Sequence, residues 1–167
     1  GYTKSELVDR KDMNIHGFCR NFTDGANELQ FVDIATDSNS NIYAVGNHSA
    51  GYIILMKFDA NYNLLWQTSI NDGDATATEL AYGIAIDETD HAYVSGSTTW
   101  IGEGGTDAFI AKFTPAGLLN WTKIYGSAAN EYASSICRVQ KASVESMLVS
   151  IVNTADKSTT FMELDTD

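Results

Sequence analysis

Glu28-Leu29, Glu79-Leu80 and Glu131-Tyr132 open three copies of one frame, 51 and 52 residues apart. The first copy runs on through Ile34-Ala35 to Asp37 and the second through Ile84-Ala85 to Asp87. The third, looser copy continues through Ile136-Cys137. A fixed period in the range of roughly 20–50 residues marks a stacked or radial repeat architecture. The repeat therefore constrains the fold before any single element is assigned.

Within each unit the residues read as strands. The first repeat holds β-rich runs at 31–36, 41–45, 52–58 and 64–70, and the second at 82–86, 92–95, 107–113 and 118–125. Tyr, Ile, Val, Phe, Trp and Thr dominate them, the types that fit a pleated, half-buried surface. Between the runs lie Asp37-Ser38-Asn39-Ser40, Asp59-Ala60-Asn61, Asn71-Asp72-Gly73-Asp74 and Gly102-Glu103-Gly104-Gly105. Small polar side chains, or none, suit tight turns. No segment sustains a 3.6-residue period; residues 5–11 alone have some helical character. The expected fold class is all-β, with four antiparallel strands per unit.

The motifs then become specific. Asn41-Ile42-Tyr43-Ala44-Val45-Gly46 matches Ala92-Tyr93-Val94-Ser95-Gly96, and Lys57-Phe58 followed by Trp66 matches Lys112-Phe113 followed by Gly117 and Trp121. With Gly83-Ile84-Ala85-Ile86-Asp87, these stretches resemble the bacterial β-propeller repeat of secreted and surface proteins. The resemblance covers about residues 28–126 well and 131–165 loosely. It implies three four-stranded propeller-like blades, at 28–78, 79–130 and 131–167, in one domain. The third unit lacks the mid-blade glycine and the tryptophan, and rests on Phe161-Met162-Glu163-Leu164-Asp165 lying where 110–114 lie in the second. The family implies architecture and no shared reaction.

Composition sets the outer bounds. A chain of 167 residues with 44% hydrophobic content has the size of one domain with a sizeable core. A net charge of −12, from 22 acidic and 10 basic residues, argues against nucleic acid and anionic lipid as partners. No run of 18 or more apolar residues suggests membrane insertion. The chain opens at Gly1 without a charged-then-apolar leader, as a matured secreted chain or a piece of a longer one would. The Asn-, Asp-, Ser-, Thr- and Tyr-rich mix is typical of extracellular β proteins, so an extracellular or cell-surface location is expected. Sequons at Asn21, Asn47 and Asn120 permit N-glycosylation.

The register followed to both ends makes the third repeat stop before its outer strand. Residues 14–22 resemble the outer strands that carry Trp66 and Trp121, with Phe18 in the tryptophan position. We therefore expect a tail at 1–12, a split outer strand at 13–27, and a last blade completed by this N-terminal strand, from its own chain or a neighbour's. The assembly strand is Ile15, Phe18, Cys19 and Phe22; the acceptor edge is Phe161, Met162 and Leu164. Three blades are too few to close a ring, and an open edge is a template for pairing. Three outcomes stay open: a six-bladed ring of two chains, a head-to-tail fibre by strand donation, or half of a longer propeller. Other copies of the chain are thus the expected partners, with glycans as an alternative ligand class.

Candidate chemical sites are few. Asp37, Asn39, Asn41 and Asp59, Asn61, Asn63 form two D-x-N-x-N turns that begin as Ca²⁺ loops do. They lack the loop glycine and the closing glutamate, so turn chemistry is the main reading and calcium the alternative. Cys137 sits on a first strand and Cys19 on a fourth, roughly 14 Å apart at strand spacing, too far for a disulfide. Two unbridged, mainly buried cysteines are expected. His16, His48 and His91 fall in different repeats, without zinc spacing. Tyr43/Tyr93 and Trp66/Trp121 recur at equivalent positions and read as packing. Trp100, in a Gly-rich loop unique to the second repeat, is the candidate ligand contact. No catalytic residue, cofactor or metal is expected, and the chain reads as non-enzymatic.

Overall fold

The computed structural model describes residues 28–71 and 77–166, together with two short strands, β1 (Thr3–Ser5) and β2 (Cys19–Asn21). The described residues are all β. Three antiparallel meanders follow one another along the chain. The first sheet is β3 (Leu29–Thr36), β4 (Ile42–His48), β5 (Ile53–Phe58) and β6 (Leu64–Ile70). The second is β7 (Glu79–Ile86), β8 (Ala92–Thr98), β9 (Asp107–Phe113) and β10 (Leu119–Tyr125). The third has three strands, β11 (Glu131–Lys141), β12 (Val144–Asn153) and β13 (Thr159–Asp165).

The repeat extends to irregularities that no residue motif announces. Each first strand carries a one-residue bulge at the same place, at Val32, Tyr82 and Ser134. The two outer strands bulge at Leu65 and Asn120, one residue before each tryptophan. A bulge leaves ladder groups unpaired, and at the second sheet's first strand the preceding sheet supplies partners. The Ala81 N–H donates to Asn47 Oδ1 at 2.8 Å and the Ile84 N–H to Asp33 Oδ2 at 2.9 Å.

The sheets stack so that each has a leading face, toward the next sheet, and a trailing face. Tyr43, Val45, Ile53 and Leu55 lead from the first sheet onto Ile84, Val94, Phe109 and Phe113 of the second. Ala85, Tyr93, Ala108 and Ile110 lead from the second onto Ile136, Met147, Val149 and Leu164 of the third. Alternation along a strand is thus masked, because both faces of an internal sheet are covered: β8 and β9 are buried at every residue. A third cluster, Ala44, Ile54, Met56 and Phe58, lies on the trailing face of the first sheet. Burial at a given register depends on the neighbour. Ile84 and Ile136 are 5% and 7% exposed, while their counterpart Ile34 on the first trailing face is 67% exposed.

The repeated glutamates sit where consecutive sheets are tied. The Glu79 N–H donates to the Gly51 carbonyl and the Glu131 N–H to the Thr106 carbonyl, at 2.9 and 2.8 Å. Glu131 is fully buried, its carboxylate accepting from the Ser127 N–H and hydroxyl and from the Asn153 amide.

Two expectations change here. Among the described residues the chain's own N-terminal strand does not complete its third sheet: Cys19–Asn21 pairs with Thr3–Ser5 in a separate two-stranded sheet, inside what the sequence reads as a tail. Among the described residues β13 pairs only with β12. Ile15, Phe18 and Phe22, like most of 5–11, lie outside the described residues. Cys137, expected to be buried like Ala35 and Ala85, is exposed and unbridged. It lies on the leading face of the third sheet, where no further described sheet follows to cover it.

Candidate assembly surface

Each internal junction is closed by the same four side chains. In the first sheet Lys57, on β5, is buried against Asp37 at 2.9 Å and lies 4.7 Å above the Tyr43 ring. Trp66 meets Tyr43 edge-on, with centroids 5.7 Å apart. This cluster receives the turns of the second sheet. Lys57 Nζ and Trp66 Nε1 both donate to the Pro115 carbonyl, at 3.4 and 3.1 Å, and the Tyr43 hydroxyl donates to the Asp90 carbonyl.

The second sheet repeats the arrangement with Asp87, Tyr93, Lys112 and Trp121. Trp121 stands edge-on to Tyr93 at 5.9 Å. Lys112 Nζ and the Tyr93 hydroxyl donate to the Thr166 carbonyl, which follows β13 as Pro115 follows β9. Both tyrosines and Trp66, which the sequence offers as packing residues, therefore also read the main chain of the next sheet. The lysines complete this latch. A buried ammonium is tolerated because carboxylate, carbonyl and ring face together replace its water.

The carboxylates serve two purposes. Asp37 Oδ1 accepts from the Asn39 and Asn41 N–H groups, both at 2.9 Å, and Oδ2 from the Asn41 amide. Asp59 caps its turn in the same way through Asn61 and Asn63. Ser40 and Tyr62 take left-handed φ angles of 62° and 64° in these turns, and Asp90 one of 65° in the turn that Asp87 caps. The aspartate oxygens of both turns are thus engaged by the turn's own N–H and amide groups, and Lys57 already supplies a cation at Asp37. Among the described residues no group of three or more His, Cys, Asp or Glu is arranged to hold a metal ion.

Burial alone would raise the carboxyl pKa of Asp37. Hydrogen bonds from Asn41 and Lys57 outweigh it and hold the group below the usual carboxylate range. Asp87 is likewise lowered, burial being outweighed by bonds from His91 and Thr89. Lys57 is raised: burial works against its charge, but Tyr43 and Asp37 hold the proton. Lowered carboxyls mean that the folded state binds fewer protons than the unfolded one in acid. Their contribution should be complete above about pH 4, the unfolded carboxyl range, and vanish as the pH falls through the lower folded values. The Lys57 contribution should hold below about pH 10.4, the unfolded lysine value, and be lost above it. A urea midpoint that rises from pH 2 to 5, stays level, and falls beyond pH 11 is the expected profile; a flat acid limb would show that these carboxylates contribute nothing.

The third sheet breaks the pattern. At the registers of Tyr93 and Lys112 it carries Leu148 and Glu163, which pair across β12 and β13 as Tyr93 and Lys112 pair across β8 and β9. Val139 occupies the place of Asp37 and Asp87. Glu163 is held by Lys141 at 2.6 Å and by the Ser146 hydroxyl. Phe161 is 70% exposed, whereas Leu55 and Ile110 at the same register are fully buried. Of the expected acceptor-edge residues, Met162 and Leu164 face the second sheet and only Phe161 leads outward.

The remaining candidates scatter. Trp100 is 51% exposed and lines a cavity of about 190 Å³ with Ile101, Phe109, Leu119, Ile124 and Glu79. His48 is buried and stacks on Tyr52 at 4.2 Å, and the His91 ring nitrogen contacts the Thr89 hydroxyl. Asn47 both donates to and accepts from the Ala81 backbone, so a glycan on its amide would break the junction. Asn120 is exposed on its bulge; the side chains of Asn21 and Cys19, and all of His16, lie outside the described residues.

No protein-family model matches the chain, and no curated protein matches it significantly. Among solved structures the chain is similar to a protein of unknown function from Bacteroides caccae. The TM-score is 0.50 and the identity 9%, covering 89% of this chain and 50% of that one. The likeness is one of fold, and the chain spans half the length of that neighbour.

Proposed function

We propose that this chain is a non-enzymatic structural protein of the cell exterior or surface that self-assembles by β-strand complementation. On this reading its three sheets are propeller-type blades, and a strand from another subunit completes the third. The observation that carries it is that, among the described residues, the third sheet has three strands where the other two have four, and β13 pairs only with β12. A row of unpaired backbone groups along a sheet edge is the template for an added strand. The family resemblance of the repeats supports an exterior location.

A second reading, a ligand- or glycan-binding module of a larger protein, is favoured by Trp100 over its apolar cavity. Deletion of residues 1–22 separates the two. Self-assembly predicts that the intact chain forms multimers, visible by electron microscopy and light scattering, and that the deletion variant is monomeric. A binding module predicts isolated particles in both cases. Monodisperse single-chain particles of the intact protein would sink the assembly reading.

A further inference from the structure

The two closed junctions and the open face differ in the side chain that stands at one register. Lys57 and Lys112 present donors to a main-chain carbonyl of the next sheet. Glu163, at their register, offers none, and Phe161 and Asp165 flank it on the same face of β13. A further sheet docking through its turn carbonyls would therefore meet a carboxylate at this register, with the Lys141 ammonium already engaged by it. A cationic strand would find that carboxylate a partner.

The complete sheets show how a fourth strand is set. Trp66 lies opposite Lys57 and Trp121 opposite Lys112, each preceded by the one-residue bulge. Lys123, two residues on, lies opposite Ile110 and 4.8 Å above the Trp121 ring. On β13 this register places an incoming aromatic opposite Glu163 and the residue two further on opposite Phe161. That residue is diagonal to Glu163, within reach of a long side chain. In residues 15–22, aligned with Phe18 in the tryptophan place, Gly17 falls on the bulge and Arg20 on the position of Lys123. Glycine suits a bulge. The pairing of β2 with β1 uses one edge of β2 and leaves the other for β13.

The geometry points to residues 15–22 of a second copy as the fourth strand of the third sheet, antiparallel to β13 and selected by Arg20 against Glu163. This rests on the self-assembly proposed above and names its donor, register and selecting charge. Charge reversal in the full chain tests it, with light scattering as the readout and circular dichroism to monitor folding. E163K and R20E should each weaken assembly at least about tenfold through like-charge contact. A one-to-one mixture of the two should assemble, since each variant's strand then matches the other's edge, and so should the double variant. Should either reversal unfold the chain, E163Q and R20Q carry the same comparison, each weakening assembly several-fold.

Unchanged assembly of the single variants would overturn the inference while leaving self-assembly standing. Recovery in the double variant but not in the mixture would assign the strand to its own chain and overturn the second copy. A wild-type chain that stays single removes both readings.

Discussion

Asp87→Ala is expected to cost about 3–5 kcal/mol of folding free energy, the range for removing one partner of a buried ion pair. Its carboxylate is 3% exposed and accepts from the Thr89 N–H and hydroxyl, the His91 N–H and the Tyr93 hydroxyl, with Lys112 at 3.7 Å. Alanine would leave two turn N–H groups, a phenol and an ammonium without this acceptor. Water cannot easily replace it, because Tyr93 is fully buried and Lys112 nearly so. Lys112→Met in the same background removes the stranded charge and should recover part of the loss, a coupling that a double-mutant cycle isolates. Urea midpoints of the four chains check this. A single-variant loss under about 1 kcal/mol, the worth of an exposed pair, would mean that the latch is solvated and does not hold the second and third sheets together.

Gly96→Ala is the second large effect, and its cause is steric. A Cβ at Gly96 would stand 2.2 Å from the Leu80 carbonyl oxygen and 2.5 Å from the Phe109 ring. Leu80 belongs to the neighbouring strand β7, so the oxygen cannot retreat without opening the ladder, and Phe109 is packed in the core between the first two sheets. Overpacking of this kind typically costs 1–3 kcal/mol, and a backbone clash places the substitution at the upper end, about 3 kcal/mol. For a chain of this size the melting midpoint should fall by roughly 6–12 °C. Gly46, the same position one repeat earlier, has its closest contact at 2.8 Å and should lose less. The ranking is the test: equal losses would show that the clash is relieved alike in both sheets.

The latch illustrates what could be read from residues. Lys57 with Lys112, Tyr43 with Tyr93 and Trp66 with Trp121 stand out by recurrence, and the register of 161–165 already sets Glu163 against Lys112. The consequence was hidden because the partners are main-chain carbonyls, which every residue has and no motif marks. Pro115 and Thr166 share nothing as side chains and serve the same lysine contact through the backbone alone. The bulges escaped for a similar reason: Val32, Tyr82 and Ser134 have no common chemistry, only a common place in a strand that must bend.

Burial was the other gap. Ile34, Ile84 and Ile136 are one residue type at one register, yet one of them is exposed because nothing described precedes the first sheet. Cys137 departs from Ala35 and Ala85 in the same way at the other end. Period, strand positions and turn types follow from the sequence by itself, since each rests on local patterns: side-chain alternation, β-branched runs, and Asp or Asn bonding its own backbone. Which face each sheet presents, which carbonyls the lysines read and which edge stays open were decided only in the tertiary structure. Those are properties of one sheet laid against another, and no single repeat contains them.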